Sequence, residues 1–230
     1  GLHFVRRARV VLSTFVIDLN AMVFGMPSAL FPALALDVFR TGPVGVGLLT
    51  AAPAAGALVG AVLSGWTTHV RRPGRAVVVA VAGWGLAITA FGLSTASFPL
   101  ALLFLALAGM ADVISAVLRS GIFQLETPDE LRGRVSSVHV LVVTSGPRIG
   151  DAEAAIVAAV VGPQLSVISG GILCLVGLAG VVRAFPELMR YRSSPREPAM
   201  EAGAEIVRLP FAIDSSETEV DPPGSAPGEA

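Results

Sequence analysis

The chain has 230 residues, 53% of them hydrophobic and 14% charged, with a mean hydropathy of +0.75, more apolar surface than one water-soluble core can hide. A net charge of -1, with no basic patch interleaved with aromatics, sets nucleic acid aside as a partner. The single cysteine, Cys174, and three scattered histidines, His3, His69 and His139, exclude an internal disulfide and a cysteine-based zinc cage, so no metal and no cofactor is expected.

A helix that crosses the hydrocarbon of a bilayer needs about 20 mostly apolar residues. Six stretches meet that length, at 10–36, 44–66, 76–96, 98–123, 135–161 and 164–185, and predict an all-α polytopic membrane protein over 1–192. The first follows Arg6, Arg7 and Arg9 as a secretory signal would, but it is too long for one and five more follow. The sequence opens at Gly1 in what reads as a loop entering a helix, so a fragment or a processed chain is expected.

Within the first span Asp18 lies about two and a half turns from the start, followed by Asn20, while Pro27 and Pro32 remove backbone donors and predict a kink. The second carries Ala52, Gly56, Gly60 and Ser64 at every fourth position, a strip of small side chains that lets another helix approach closely, and Pro53 beside it. In the fourth, Asp112 and Arg119 are seven apart and share a face. In the fifth, Arg148 and Asp151 are three apart and able to pair, whereas Glu153 sits about 200° around from Asp151; either Glu153 lines a cavity or the helix breaks near Gly150. Ionisable residues inside spans are costly and mark function or pairing. Asp18 and Asp112 read as cavity lining, and Arg148 with Asp151 as either a structural pair or part of the substrate or proton pathway. Cys174 falls inside an apolar run of the sixth span and receives no role.

Arginines cluster before the first span, at Arg71, Arg72 and Arg75 between the second and third, at Arg132 and Arg134 between the fourth and fifth, and at Arg183, Arg190 and Arg192 after the sixth. The alternate loops contain only Arg40, so the arginine-bearing side, with both termini, is expected in the cytoplasm of a cell whose inner, or plasma, membrane holds the chain. Residues 193–230 turn to Pro, Ser, Gly and Glu with an acidic excess and read as a disordered tail.

Two loops carry a family resemblance. The run from Gly65 through Arg71, Arg72 and Gly74 to Arg75 resembles the second-half copy of the signature loop of the major facilitator superfamily, although Thr68 and His69 stand where that loop carries its acidic residue. The run Thr127-Pro-Asp129-Glu130-Leu-Arg132-Gly133-Arg134, with Ser145 to Asp151 further on, resembles the enterobactin-exporter branch and its drug-efflux relatives. The resemblance covers 1–192 and implies the C-terminal six-helix half of a twelve-helix transporter, built from inverted three-helix repeats. It further implies proton-coupled export of a siderophore or another amphipathic compound, with the loop residues as cytoplasmic gates. Asp18, Asn20, Asp112, Arg119, Arg148, Asp151 and Glu153 are the pathway candidates. The expected partners are the lipid bilayer, a small amphipathic substrate, protons, and the missing N-terminal half or a second copy.

Two other readings stand beside this one. An inactive remnant of a truncated transporter would share every feature above. An intramembrane enzyme would need a nucleophile beside a base, and His139, near one end of the fifth span, has no Gly-x-Ser-x-Gly elbow or metal cluster with it; the chain is read as no enzyme.

Overall fold

The computed structural model describes residues 8–25 and 27–192; the tail expected from Ser193 onward lies outside the described residues. Among the described residues the regular structure is helical. In chain order it comprises α1 (Arg9–Phe24), a 3-10 turn (Ser28–Leu30) leading through α2 (Phe31–Ala33) into a π turn (Leu34–Val38), α3 (Gly42–Leu63), a 3-10 turn (Ser64–His69), α4 (Pro73–Leu93), α5 (Phe98–Glu126), a 3-10 turn (Asp129–Leu131), α6 (Arg132–Val161), α7 (Pro163–Ala184) and α8 (Pro186–Arg190).

Local chemistry sets these boundaries. Proline stands in the first turn of α3, α4, α5 and α7, where its missing N–H is not needed and its fixed φ suits the helix. The hinge between α6 and α7 is Gly162 at φ +90°, a conformation other residues rarely adopt. The first expected span is interrupted as its prolines predicted: α1 stops at Phe24, and the chain resumes at Ser28 after Pro27. Pro53 and Pro147, by contrast, lie inside continuous helices, and α6 runs unbroken through Gly150 to Val161, so the break considered there does not occur.

Among the described residues five stretches are long and apolar enough to cross a membrane: Arg9–Val38, Gly42–Leu63, Pro73–Leu93, Phe98–Glu126 and Pro163–Ala184. The remaining long helix, α6, has 30 residues, about 45 Å at 1.5 Å per residue. It has the length to cross but falls short in apolarity, because Arg148, Asp151 and Glu153 interrupt it together with Thr144 and Ser145. The outer surface fits a bilayer and not water: Val44, Leu58 and Val62 on α3 and Leu141, Ile156 and Val160 on α6 are all more than two-thirds exposed. The chain is an all-α polytopic membrane protein.

Three of the arginine-bearing segments meet at one end, where Arg9 pairs with Glu187 and Arg75 donates to the carbonyl of Met189. α5 packs extensively on both α3 and α4, α4 also packs on α7, and α1 packs on α6 and α7. The small-residue strip does what its spacing predicts. A Cβ on Gly56 would run into the carbonyl of Ala106, and one on Gly109 into the carbonyl of Pro53, so α3 and α5 touch backbone to backbone. The apolar core runs through Ile17, Leu34, Leu49, Val77, Phe91 and Leu105, all buried. At the arginine-bearing end, α8 folds back under the bundle: Leu188 is fully buried, and its carbonyl occupies the place a side chain on Gly74 would take.

Candidate functional site: the cleft between α1 and α5

α1 is held by α6 and α7 and touches α5 only sparsely, which leaves a cleft between α1 and α5. One strong contact bridges it. Asp18 Oδ1 and Arg119 Nη2 lie 2.8 Å apart, both side chains nearly buried, and Arg119 Nη1 donates to Ser115 Oγ at 2.7 Å. Two opposite charges this far from water are tolerable only together, and removal of one leaves the other without compensation. Asp112, two turns from Arg119, lies within electrostatic reach of both Arg119 and Asp18 but forms no ion pair of its own among the described residues. The cleft thus holds two carboxylates and one guanidinium.

Cavities open on either side of this crossbar. Toward the arginine-bearing end lies one of about 260 Å³, lined by Thr14 and Phe15 of α1, Ser120 and Gln124 of α5, and Ser136 and His139 of α6, with Asp18 and Arg119 in its wall. Phe15, Phe123 and His139 meet edge to face there, with ring centroids 5.7–6.4 Å apart. Further along the same two helices lies a cavity of about 190 Å³, lined by Gly25, Pro27, Ser28 and Phe31, by Leu105, Ala108 and Gly109, and by Pro53 and Trp84. The first offers hydroxyl, amide and imidazole groups; the second is almost wholly apolar. On α1 Asp18 falls between the residues of the two cavities, and on α5 so does Arg119.

The other expected pathway residues fall elsewhere. Asn20 Nδ2 donates to the carbonyl of Cys174 at 2.9 Å and ties α1 to α7, a structural bond that places the apolar cysteine in the same packing. Arg148 and Asp151 do not pair: Arg148 is exposed, and Asp151 Oδ1 instead accepts from Ser28 Oγ at 2.8 Å and from Ala29 N at 3.0 Å. The expectation of a pair rested on spacing along one helix. The interruption of α1 supplies stronger donors, a backbone N–H and a hydroxyl left over at the start of a new turn. Glu153 is half-buried on another side of α6 and contributes to neither cavity.

The loop residues gather at the arginine-bearing end, away from the crossbar. Gly65 lies in the turn Ser64–His69, and Arg71 and Arg72 are exposed before α4. Arg75 Nε donates to the carbonyl of Met189 in α8 at 3.0 Å. Arg9 binds the same region three ways, by an ion pair to Glu187 at 3.1 Å, a hydrogen bond to Ala184 O at 3.3 Å and a position over the Phe185 ring. Arg132 Nη2 donates to Gln124 O at 3.3 Å, Asp129 belongs to the turn Asp129–Leu131, and Glu130, Gly133 and Arg134 are exposed. The phenol of Tyr191, just past α8, is pushed well above its ordinary pKa by burial first and then by the hydrogen bond and charge of Glu126.

Sequence reasoning missed Ser115 and the aromatic trio around His139. In the sequence His139 stands without a catalytic partner and so points to no role. Its spacing of three from Ser136 put a second polar group on the same stretch of α6, and that was the available signal.

A paired charge thus bridges two apolar helices, with a cavity to each side. Residues 12–215 match the profile of the Major Facilitator Superfamily. The chain belongs to the major facilitator superfamily. Among curated relatives of this superfamily, the chain is 36% identical over 170 residues to the enterobactin exporter EntS of Citrobacter koseri, covering 74% of the chain and 40% of that protein. It is 33% identical over 175 residues to the enterobactin exporter EntS of Salmonella typhimurium, covering 76% and 41%. The chain thus spans about two-fifths of the length of the curated relatives it matches. No solved structure matches.

Proposed function

We propose that this chain is the C-terminal six-helix half of a proton-coupled exporter that moves a siderophore of the enterobactin kind, or a lipophilic compound of similar character, out of the cell. In this reading α6 is the fifth of six spans, both ends face the cytoplasm, as the arginine bias favours, and the bundle sits in the inner membrane. It works against a complementary six-helix bundle, supplied by an N-terminal half or by a second copy. Kinship to exporters supports the substrate class.

The observation that carries the reading is the Asp18–Arg119 crossbar between a polar and an apolar cavity. An amphipathic solute needs both kinds of lining, and a charge pair between them closes the passage when intact. Asp112, unpaired but close, is positioned to take up a proton as the pair opens. The test is efflux from cells that lack their own siderophore exporter and express this chain joined to a matching first half. Intracellular siderophore should fall, and the fall should depend on the proton gradient. Unchanged accumulation of siderophores and of a panel of lipophilic drugs, with the protein verified in the membrane, overturns the proposal.

A further inference from the structure

The two pieces of the first span belong to different parts of the bundle. α1 lies on α6 and α7, with Asn20 bonded to the Cys174 carbonyl and Val11 and Phe15 clustered with Val135. Beyond Pro27 the turn Ser28–Leu30 still lies against α6, and from Phe31 on the chain passes to other elements: Phe31 packs edge to face on Phe91 of α4, Phe39 contacts Phe91 and Phe98, and the Ala35 carbonyl accepts from Thr41 ahead of α3. Between them Gly25 and Pro27 are not helical, and two side chains from different helices serve the two sides of the break. Trp84 Nε1 of α4 donates to the Gly25 carbonyl at 3.0 Å, on the near side of the break. Asp151 of α6 accepts from Ser28 Oγ and Ala29 N on the far side. Trp84 thus ties the end of the piece packed on α6 and α7 to α4, while Asp151 fastens the first turn of the next piece to α6, so the two sides of the break are held to different helices.

We infer that the interruption at Gly25–Ser28 is a latched hinge, and that Trp84 and Asp151 are positioning residues that hold its two sides in register. The chemistry suits such a role. A break in a membrane helix frees polar backbone groups that hydrocarbon cannot satisfy, and a carboxylate that accepts two donors is a stronger partner for them than a neutral carbonyl. A change of angle between α1, packed on α6 and α7, and the chain from Phe31 on, packed on α3 and α4, must be taken up as shear at this break. The latch sets how readily that shear occurs. This inference does not depend on the exported compound or on its coupling ion, because it concerns the mechanics of the helix alone.

The test reads the hinge directly in the full chain reconstituted in lipid. Spin labels at Leu19→Cys and Leu36→Cys, both exposed positions on either side of the break, lie roughly 25 Å apart along the helix axis; the native Cys174 is fully buried and stays unlabelled. The native protein should give one narrow distance distribution. Asp151→Leu should broaden it and speed amide exchange at Ala29 and its neighbours about tenfold. Asp151→Asn, which keeps an acceptor oxygen, should restore most of the narrow distribution. Trp84→Phe, which keeps the ring and loses the donor, should loosen exchange at 21–25 instead. Should Asp151→Leu fail to insert, Ser28→Ala removes one of the two donors alone and should shift both readings in the same direction by less. A narrow, native-like distribution with unchanged exchange in Asp151→Leu or, failing that, in Ser28→Ala overturns the hinge. Exchange rising equally in α3, α4 and α5 overturns it as well, since the bonds would then hold the whole bundle and not one joint.

Discussion

Asp18 of α1 and Arg119 of α5 meet at 2.8 Å across two helices that scarcely touch elsewhere, so this one pair closes the cleft between them. Neutralising either partner alone, by Asp18→Asn or Arg119→Gln, should cost about 3–5 kcal/mol, because the remaining charge stays buried without its counterion. The double variant Asp18→Asn/Arg119→Gln should recover much of that loss. Thermal unfolding in detergent measures the coupling, and additive losses in the double variant would remove the pair from the account of stability.

The close contact of α3 with α5 allows a sharper contrast. Gly56→Ala places a methyl against the backbone carbonyl of Ala106, where no side chain is available to yield, and should destabilise by about 1–3 kcal/mol. Gly121→Ala, on the same α5 but facing open space, should be neutral or slightly stabilising. Size-exclusion profiles after graded heating separate the two, and equal behaviour of both variants would contradict the packing described.

Much of this was legible in the sequence, for physical reasons that can be named. Length and apolarity located the helices to within a few residues, and the prolines at 27 and 32 announced the break in the first span. The fourfold spacing from Gly56 to Gly60 identified a close helix contact but not its partner, since spacing within one helix says nothing of which neighbour lies across it. The same limit explains the error at Asp151. Its bond to Ser28 and Ala29 joins residues more than 120 positions apart, and intrahelical spacing suggested Arg148 in their place. Asp18 and Arg119 were each marked as costly in a membrane, but only the fold brings them together. The docking of α8 on Gly74 and Arg75 was invisible, because Leu188 and Met189 meet them through backbone carbonyls, which carry no sequence signal.

The docking of α8 can be followed through Tyr191, the only tyrosine of the chain, by tyrosinate absorbance. Its phenol is held above the ordinary value by burial and by Glu126, so the folded state keeps its proton more tightly than the unfolded state. The stability it contributes is therefore complete below the unfolded value of about 10 and is lost as pH rises above it. Gly74→Ala, which displaces the Leu188 carbonyl, should bring the Tyr191 titration back toward its ordinary range. A titration identical in the two proteins would mean that α8 does not depend on that contact.

Asp112 offers the most direct test of the cleft as a conduit for protons. Asp18 and Arg119 neutralise each other, so an ionised Asp112 leaves the cleft with one excess negative charge, within electrostatic reach of the pair but bonded to neither member. A proton on Asp112 removes that excess, and the pull of its carboxylate on Arg119 disappears with it. Asp112→Asn fixes the neutral condition permanently. Since no ion pair is broken, the variant should insert and unfold like the native chain, in contrast to Asp18→Asn. Joined to a complementary half, it should, on the proposed coupling, still bind and exchange substrate but lose the acceleration by an imposed proton gradient that is expected of the native protein. Counterflow and gradient-driven efflux measured on the same vesicles distinguish the two capacities. If gradient-driven efflux survives in Asp112→Asn at the native rate, the coupling proton must be carried by Asp18 or by a group outside the cleft, and the Asp18→Asn/Arg119→Gln variant, which leaves Asp112 as the only ionisable group of the three, becomes the deciding comparison.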